Sequence, residues 1–154
     1  MNFHLSAITL DEASVVQRSP AIEQEREVAT LDLLDANSFR VEGSDAGPYE
    51  LTLGVVEGRL VFDIKRAGEP HGKVQFSLAP MRAVIRDYWT VCENFYKAIR
   101  TATPQHVESL DAGRRALHDE GANELRHRLE GKIETDFDTA RRLFTLICVL
   151  QLRV

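Results

Sequence analysis

The chain has 154 residues, of which 44% are hydrophobic and 28% are charged, a composition typical of one ordinary globular domain. It carries 19 Lys and Arg against 24 Asp and Glu, a formal net charge of −5 at pH 7, and this field repels phosphate backbones and anionic lipid surfaces. These values argue against disorder, a fibrous repeat and a nucleic-acid partner. We therefore predict a single domain over residues 1–154.

The first residues lack the basic start and apolar run of a secretory signal. The longest apolar stretch, Leu143 to Leu152, is interrupted by Thr145 and Gln151 and is well short of the roughly 20 residues that span a bilayer. We expect a cytoplasmic protein with no membrane partner.

The first third of the chain predicts one strand and one helix. Phe3 to Leu10 is apolar with β-branched neighbours, which predicts a strand or extended arm at a sheet edge. Ser19-Pro20 is a helix start, because a hydroxyl can cap a free amide and proline fits the first turn. This helix is predicted to end near Asp35, after an apolar face formed by Ile22, Ala29 and Leu33.

A β-hairpin is the clearest β signal in the chain. Apolar and polar residues alternate from Tyr49 to Val55 and from Leu60 to Ile64, on either side of a Glu57-Gly58 turn. A third antiparallel strand is predicted at residues 73–78.

Beyond Pro80 the apolar residues adopt a helical period, which predicts a long amphipathic helix that covers one face of the sheet. Thr103-Pro104 starts a third helix, in which Gly121 is a candidate break. Thr135 is the predicted cap of a last helix, with Asp138 three residues on, as in a capping box.

The segment 143–150 is apolar almost all round, which a surface helix is not. It is either surrounded by the other helices or shared with a second subunit. Because the final residues are rich in Ile, Val and Thr, a β-strand remains an alternative to a helix there. The complete pattern predicts an α+β fold: a small antiparallel sheet of three to four strands packed against about four helices, with a helical C-terminal half.

Three polar residues fall on helical stripes that otherwise face the core. Arg114 and His118 lie on the stripe of the third helix, and Arg141 lies between apolar residues of the last helix. A guanidinium that faces a core costs several kcal/mol unless it is paired and hydrogen-bonded.

Two interpretations follow from these residues. In the first they join an internal ion network, in which Asp111 reaches Arg115, and Glu134, Asp136 or Asp138 ties Arg114 or Arg141 between helices. In the second, Arg114, His118 and Arg141 converge on a small anion such as a carboxylate or phosphate, with Arg115 and Asp138 as further candidate ligand-binding residues.

Metal, cofactor and nucleophile signals are weak. His118, Asp119 and Glu120 are adjacent on a helix and point in different directions, so a metal would need help from Asp136 and Asp138. Cys92 and Cys148 lack metal-type spacing and read as two buried, reduced thiols. No catalytic or cofactor-binding motif is found, so we assign no catalytic residue, metal or cofactor.

Segments spread over nearly the whole chain carry a family resemblance: Ser19-Pro20-Ala21-Ile22-Glu23 with Glu25-Arg26, Gly47-Pro48-Tyr49, residues 59–64 and 98–104, residues 113–118 with Glu120-Gly121, Lys132-Ile133-Glu134 and residues 136–146. Together they resemble uncharacterised protein family 0262, a numbered bacterial family of alphaproteobacteria. That resemblance implies a small cytoplasmic bacterial protein with no assigned activity and no catalytic residues to transfer.

Our first functional hypothesis is a non-enzymatic binding or protein-interaction domain, with an unknown protein partner and self-association through the apolar C-terminal helix. The alternative is an enzyme or sensor that binds a small anionic ligand through Arg114, His118 and Arg141.

Overall fold

The computed structural model describes residues 2–11 and 20–151, in which six strands and four helices follow one another. The strands are β1 (Leu5–Leu10), β2 (Phe39–Val41), β3 (Tyr49–Val56), β4 (Arg59–Arg66), β5 (Glu69–Ser77) and β6 (Ile133–Thr135). The helices are α1 (Pro20–Asp35), α2 (Arg82–Thr101), α3 (Pro104–Leu129) and α4 (Phe137–Leu150). The predicted α+β fold with a helical C-terminal half is confirmed; the predicted cap Ser19 lies outside the described residues.

The main sheet has the strand order β1-β3-β4-β5. β3 and β4 form the predicted hairpin, and β5 continues it antiparallel to β4. β1 lies at the sheet edge as predicted, but it runs parallel to β3, so the sheet is mixed and not wholly antiparallel. A parallel pair needs a long crossover, and the connection from β1 to β3 contains both α1 and β2.

The hairpin turn sets which side chains of the sheet face the helices. Glu57 and Gly58 both have positive φ, 52° and 74°, as a two-residue hairpin turn requires. The alternation then directs one row of apolar residues inward, each no more than 1% exposed: Leu51, Leu53, Leu60, Phe62 and Ile64.

A second, two-stranded sheet was not predicted. β2 and β6 pair antiparallel, from Phe39 opposite Thr135 to Val41 opposite Ile133. Three residues are too few to show a periodicity. Thr135 was the predicted cap of α4, but it is the last residue of β6. The Asp136 carboxylate caps α4 instead and accepts a hydrogen bond from the Thr139 amide at 2.8 Å.

The apolar helix α4 is the centre of the helical layer. It packs against α1, α3 and the sheet, and residues 143–150 are all buried. The segment is helical to Leu150, so the strand alternative does not apply to the described residues. The apolar surface that suggested self-association is therefore covered within a single copy of the chain.

Gly121 does not interrupt α3, which is one helix of 26 residues. The Phe144 ring of α4 lies against Gly121, and a Cβ atom built on this glycine would overlap that ring. The glycine is therefore explained by the close approach of α3 and α4 and not by a break in the helix.

Within residues 2–11 and 20–151, no helix combines the length and apolar character that a bilayer crossing requires.

We expect Gly121→Ala to destabilise the protein. The added methyl group overpacks the contact with Phe144, at a cost of about 1–3 kcal/mol, which outweighs the roughly 1 kcal/mol that alanine gains over glycine inside a helix. Gly113→Ala is the matched control, because its Cβ atom would meet only Val91 Cγ1, at 3.9 Å. Urea unfolding should show Gly113→Ala at or above wild-type stability and Gly121→Ala below it; equal stability of the two variants would contradict the assigned role of Gly121.

Candidate functional site

The core of the candidate site is a carboxylate, Glu25, buried where α1, α2 and α3 meet. Its side chain accepts hydrogen bonds from Tyr88 Oη at 3.2 Å, Tyr96 Oη at 2.8 Å and Arg114 Nη1 at 3.2 Å. Burial and the Glu25 charge raise the pKa of both tyrosines, so their hydroxyl groups stay protonated as donors. Glu25 is 9% exposed, and these donors compensate its charge.

Arg114 joins this carboxylate to the surface of α3. Its Nη2 atom lies 2.7 Å from Asp111 Oδ1, and its guanidinium carbon lies 4.8 Å from the centre of the Phe95 ring. Burial opposes the charge of Arg114, but the Asp111 hydrogen bond and the Glu25 charge raise its pKa overall. The Nε atom of Arg114 is buried and has no hydrogen-bond acceptor among the described residues.

His118 links α3 to α4 one turn further on. Its Nε2 atom lies 2.7 Å from the Arg141 carbonyl oxygen and 2.8 Å from Thr145 Oγ1, and Nδ1 lies 3.5 Å from Arg141 Nη2. These contacts assign the proton to Nε2 and leave Nδ1 as an acceptor that faces a guanidinium. Burial lowers the pKa of His118, and the Arg141 charge contributes in the same direction, so the ring is neutral at pH 7.

Arg141 makes its ion pairs at the rim of the site. Its Nε atom lies 3.1 Å from Asp119 Oδ1, and its Nη1 atom lies 3.8 Å from Asp138 Oδ1. The Asp119 contact is close enough for an ion pair, but it does not meet hydrogen-bond geometry, and the buried Nε of Arg141 has no such partner in the described part of the chain. Both carboxylates are more than half exposed, so their attraction is partly screened by water.

The predicted residues therefore meet in one cleft of about 220 Å³ between α1, α3 and α4. Arg114, His118 and Arg141 all line it, together with Arg115 and Asp138. Four guanidiniums and three carboxylates face this space, the remaining charged members being Arg142, Glu25 and Asp32.

The internal ion pairs were predicted only in part. Asp111 lies 3.3 Å from Arg115 as predicted, and Asp138 reaches Arg141. Of the three acids offered as alternatives for this pairing, Asp138 is therefore the one that contacts Arg141, whereas Glu134 contacts Arg40 at 3.9 Å and Asp136 caps α4.

Sequence reasoning missed Glu25, the main partner of Arg114. Its signal was present, because Glu25 lies between Ile22 and Ala29 on the buried face of α1. A carboxylate on such a face needs donors from another element. The sequence could not show that Tyr88, Tyr96 and Arg114 supply them.

The two cysteines, Cys92 and Cys148, are buried free thiols as predicted. Burial raises the pKa of Cys92 to about 12 and that of Cys148 well above its usual value, so neither is a thiolate nucleophile near pH 7. Among residues 2–11 and 20–151, no group of three or more His, Cys, Asp or Glu side chains could hold a metal ion.

Comparison with known proteins gives a family but no activity. The sequence model of the Uncharacterised protein family (UPF0262) matches residues 2–153. A UPF0262 protein of Caulobacter vibrioides is 51% identical over 152 residues, which cover 99% of this chain and 95% of the relative. A protein with the same family name from Phenylobacterium zucineum is 52% identical over 97% of this chain and 93% of the relative. Another, from Brucella anthropi, is 52% identical over 99% of this chain and 96% of the relative. No solved structure matches the chain.

We expect the protein to lose stability as the pH falls from about 7 to 5, in part through His118. Its pKa in the folded protein is lowered, whereas in the unfolded chain it is about 6.5. The unfolded state therefore binds the proton first, and the free energy of unfolding decreases as the pH drops through this range.

Urea unfolding at pH 7, 6 and 5 should show a weaker pH dependence in His118→Gln than in wild type. His106→Gln, at an exposed position, is the control and should keep the wild-type dependence. Identical pH dependence in wild type and His118→Gln would contradict the assignment.

Proposed function

We propose that this chain, which belongs to the uncharacterised protein family UPF0262, is a non-enzymatic domain that binds a small anion in the cleft between α1, α3 and α4. One observation carries the proposal. Two guanidiniums from different helices, Arg114 and Arg141, face one cleft, and each has a buried Nε without a hydrogen bond to the described residues. The Arg141 Nε has only the ion-pair contact with Asp119, at 3.1 Å. Buried donors without a hydrogen bond are rare in proteins, so these two Nε–H groups favour a ligand that can accept from them.

The lining of the cleft carries four guanidiniums and three carboxylates, and this excess of positive charge supports an anion over a neutral ligand. The Glu25 carboxylate accepts hydrogen bonds from two tyrosines and Arg114. Asp138 lies at the rim, where its side chain is 66% exposed and 3.8 Å from Arg141. A phosphate or carboxylate can replace this long contact with a bidentate one, since a guanidinium presents two parallel donors.

The size of the cleft and the state of His118 support binding and not catalysis. A volume of about 220 Å³ is below the roughly 300 Å³ of common drug-sized pockets, so it suits a phosphate or a short carboxylate. His118 is the obvious proton carrier, but both ring nitrogens have partners and its pKa is lowered. Thr145, the nearest hydroxyl, is 2% exposed and hydrogen-bonded.

Calorimetric titration with phosphate, sulfate and citrate should give saturable binding to wild type for at least one of these anions. Arg141→Gln should weaken the affinity by about tenfold or more, because a bidentate, charge-assisted contact is lost. We prefer this variant to Arg114→Met, because loss of Arg114 leaves the buried Glu25 without its cation and lowers stability.

Arg128→Gln is the matched control. Like Arg141, Arg128 of α3 is an ion-paired arginine, 2.9 Å from Glu124, but it does not line the cleft. Equal affinity of Arg141→Gln and wild type, or no saturable binding of any of the three anions at millimolar concentration, would refute the proposal.

A second candidate function is protein interaction through the outer face of α1. Val28, Leu31 and Leu34 are 45%, 66% and 42% exposed, and the neighbouring carboxylates Glu27 and Asp35 are exposed as well. This combination fits a partner segment that presents apolar residues flanked by Lys or Arg. A second copy would bring like charges together, so self-association is the less favoured outcome at this surface. A cytoplasmic location and the lack of a nucleic-acid partner remain predictions.

The α1 surface can be tested with a synthetic amphipathic helix of Leu and Lys, labelled for fluorescence anisotropy. We expect binding to wild type and to Val56→Ser, whose residue is 56% exposed on the hairpin, and weaker binding to Leu31→Ser. Equal binding to all three proteins would exclude this surface. A dimer in light scattering that Leu31→Ser abolishes would assign the surface to a second copy.

A further inference from the structure

A second concave surface lies between α2 and the β3–β4 hairpin and shares no lining residue with the cleft. Its volume is about 560 Å³, within the usual range for small-molecule sites. Its floor is apolar and is formed by Val55, Ile85 and Trp89. The Trp89 indole N–H donates to the Cys148 carbonyl oxygen at 3.0 Å, which holds the ring in place. The proposed function makes no use of this groove.

One end of the groove is cationic. Arg82 and Arg86 lie one turn apart on α2, both line the groove, and both are exposed. Within the described residues Arg82 has no carboxylate partner, and Arg86 contacts only its neighbour Asp87, at 3.5 Å between two largely exposed side chains. Such an exposed contact holds the Arg86 guanidinium weakly.

The hairpin turn leaves room for these arginines. Gly58 has a φ of +74°, and a Cβ atom at this position would lie 3.2 Å from Arg82 Nη2. The flexible Arg82 side chain can move aside from such a contact, so the positive φ of Gly58 is the stronger requirement for glycine at this turn. Glu93 lies two helical turns along α2 from Arg86 and also lines the groove, and its carboxylate disfavours an anion there.

We infer that this groove binds a small amphipathic anion, with its apolar body on Val55, Ile85 and Trp89 and its anionic group between Arg82 and Arg86. The apolar floor accounts for burial of the body, and the two guanidiniums select negative charge and orient the ligand away from Glu93. The ligand class is an acyl or aromatic carboxylate with one charged end.

Trp89 gives a direct readout, because it is the only tryptophan of the chain. Titration with decanoate, below its micelle concentration, should change the Trp89 fluorescence in a saturable manner. Decylammonium has the same body with the opposite charge and should bind at least tenfold more weakly. Equal responses to the two ligands would show that the arginines do not select an anion, and would overturn the inference.

Substitutions test the same point independently. The Arg82→Gln, Arg86→Gln double variant should lose at least tenfold in decanoate affinity, because two charge-assisted contacts are removed. Arg100→Gln, an exposed arginine at the other end of α2, is the control and should bind as wild type does. Unchanged affinity in the double variant would overturn the inference.

Gln151, which lines the groove, is the last residue that the structure describes. A variant that ends at Gln151 should bind decanoate as the full chain does. Binding that occurs only in the shortened variant would overturn the small-ligand proposal for the full chain. Arg141 does not line the groove. Decanoate binding in the groove can therefore succeed or fail independently of anion binding in the cleft.

Discussion

The burial of the Glu25 carboxylate determines how the first three helices meet. A carboxylate that is 9% exposed loses most of its hydration, so its oxygens need donors from the protein. α2 supplies two tyrosine hydroxyls and α3 supplies the Arg114 guanidinium. The three helices can therefore pack only in an arrangement that brings these donors to one point. Arg114 faces the interior because the interior holds its counter-charge.

A second polar link continues this network to α4. His118 contacts the Arg141 carbonyl oxygen and the Thr145 hydroxyl, while its other nitrogen faces the Arg141 guanidinium. The link depends on close helix packing, which the Gly121–Phe144 contact provides. The same side chains thus hold the helices together and line the cleft. A ligand in the cleft would act on contacts that already define the packing of α1, α3 and α4.

The cleft and the groove differ in the physical property that each can recognise. The cleft is small and surrounded by guanidiniums and carboxylates, so a ligand there would be selected by charge and hydrogen-bond geometry. The groove is wider and has an aromatic and aliphatic floor with its cations at one end, so a ligand there would be selected by apolar area and by the position of one charge. The two surfaces share no lining residue.

Local pattern was sufficient for much of the fold. The alternation from Tyr49 to Ile64 and the helical period beyond Pro80 determined the hairpin and α2, because each depends on neighbours a few residues apart. The same periodicity showed that Arg114, His118 and Arg141 face inward, and so identified three of the residues that line the cleft. What the sequence determined by itself was thus which residues are inward-facing and which element they belong to.

Only the tertiary structure decided their partners. Glu25 and Arg114 are 89 residues apart in the chain, and no local period connects them. β2 and β6 are three residues each and exist because two distant segments pair. The parallel placement of β1 depends on the path of the chain through α1 and β2, and Gly121 is required only because Phe144 arrives from another helix. These features are set by long-range contacts, and a periodicity of two or 3.6 residues carries no information about which distant segment will supply them.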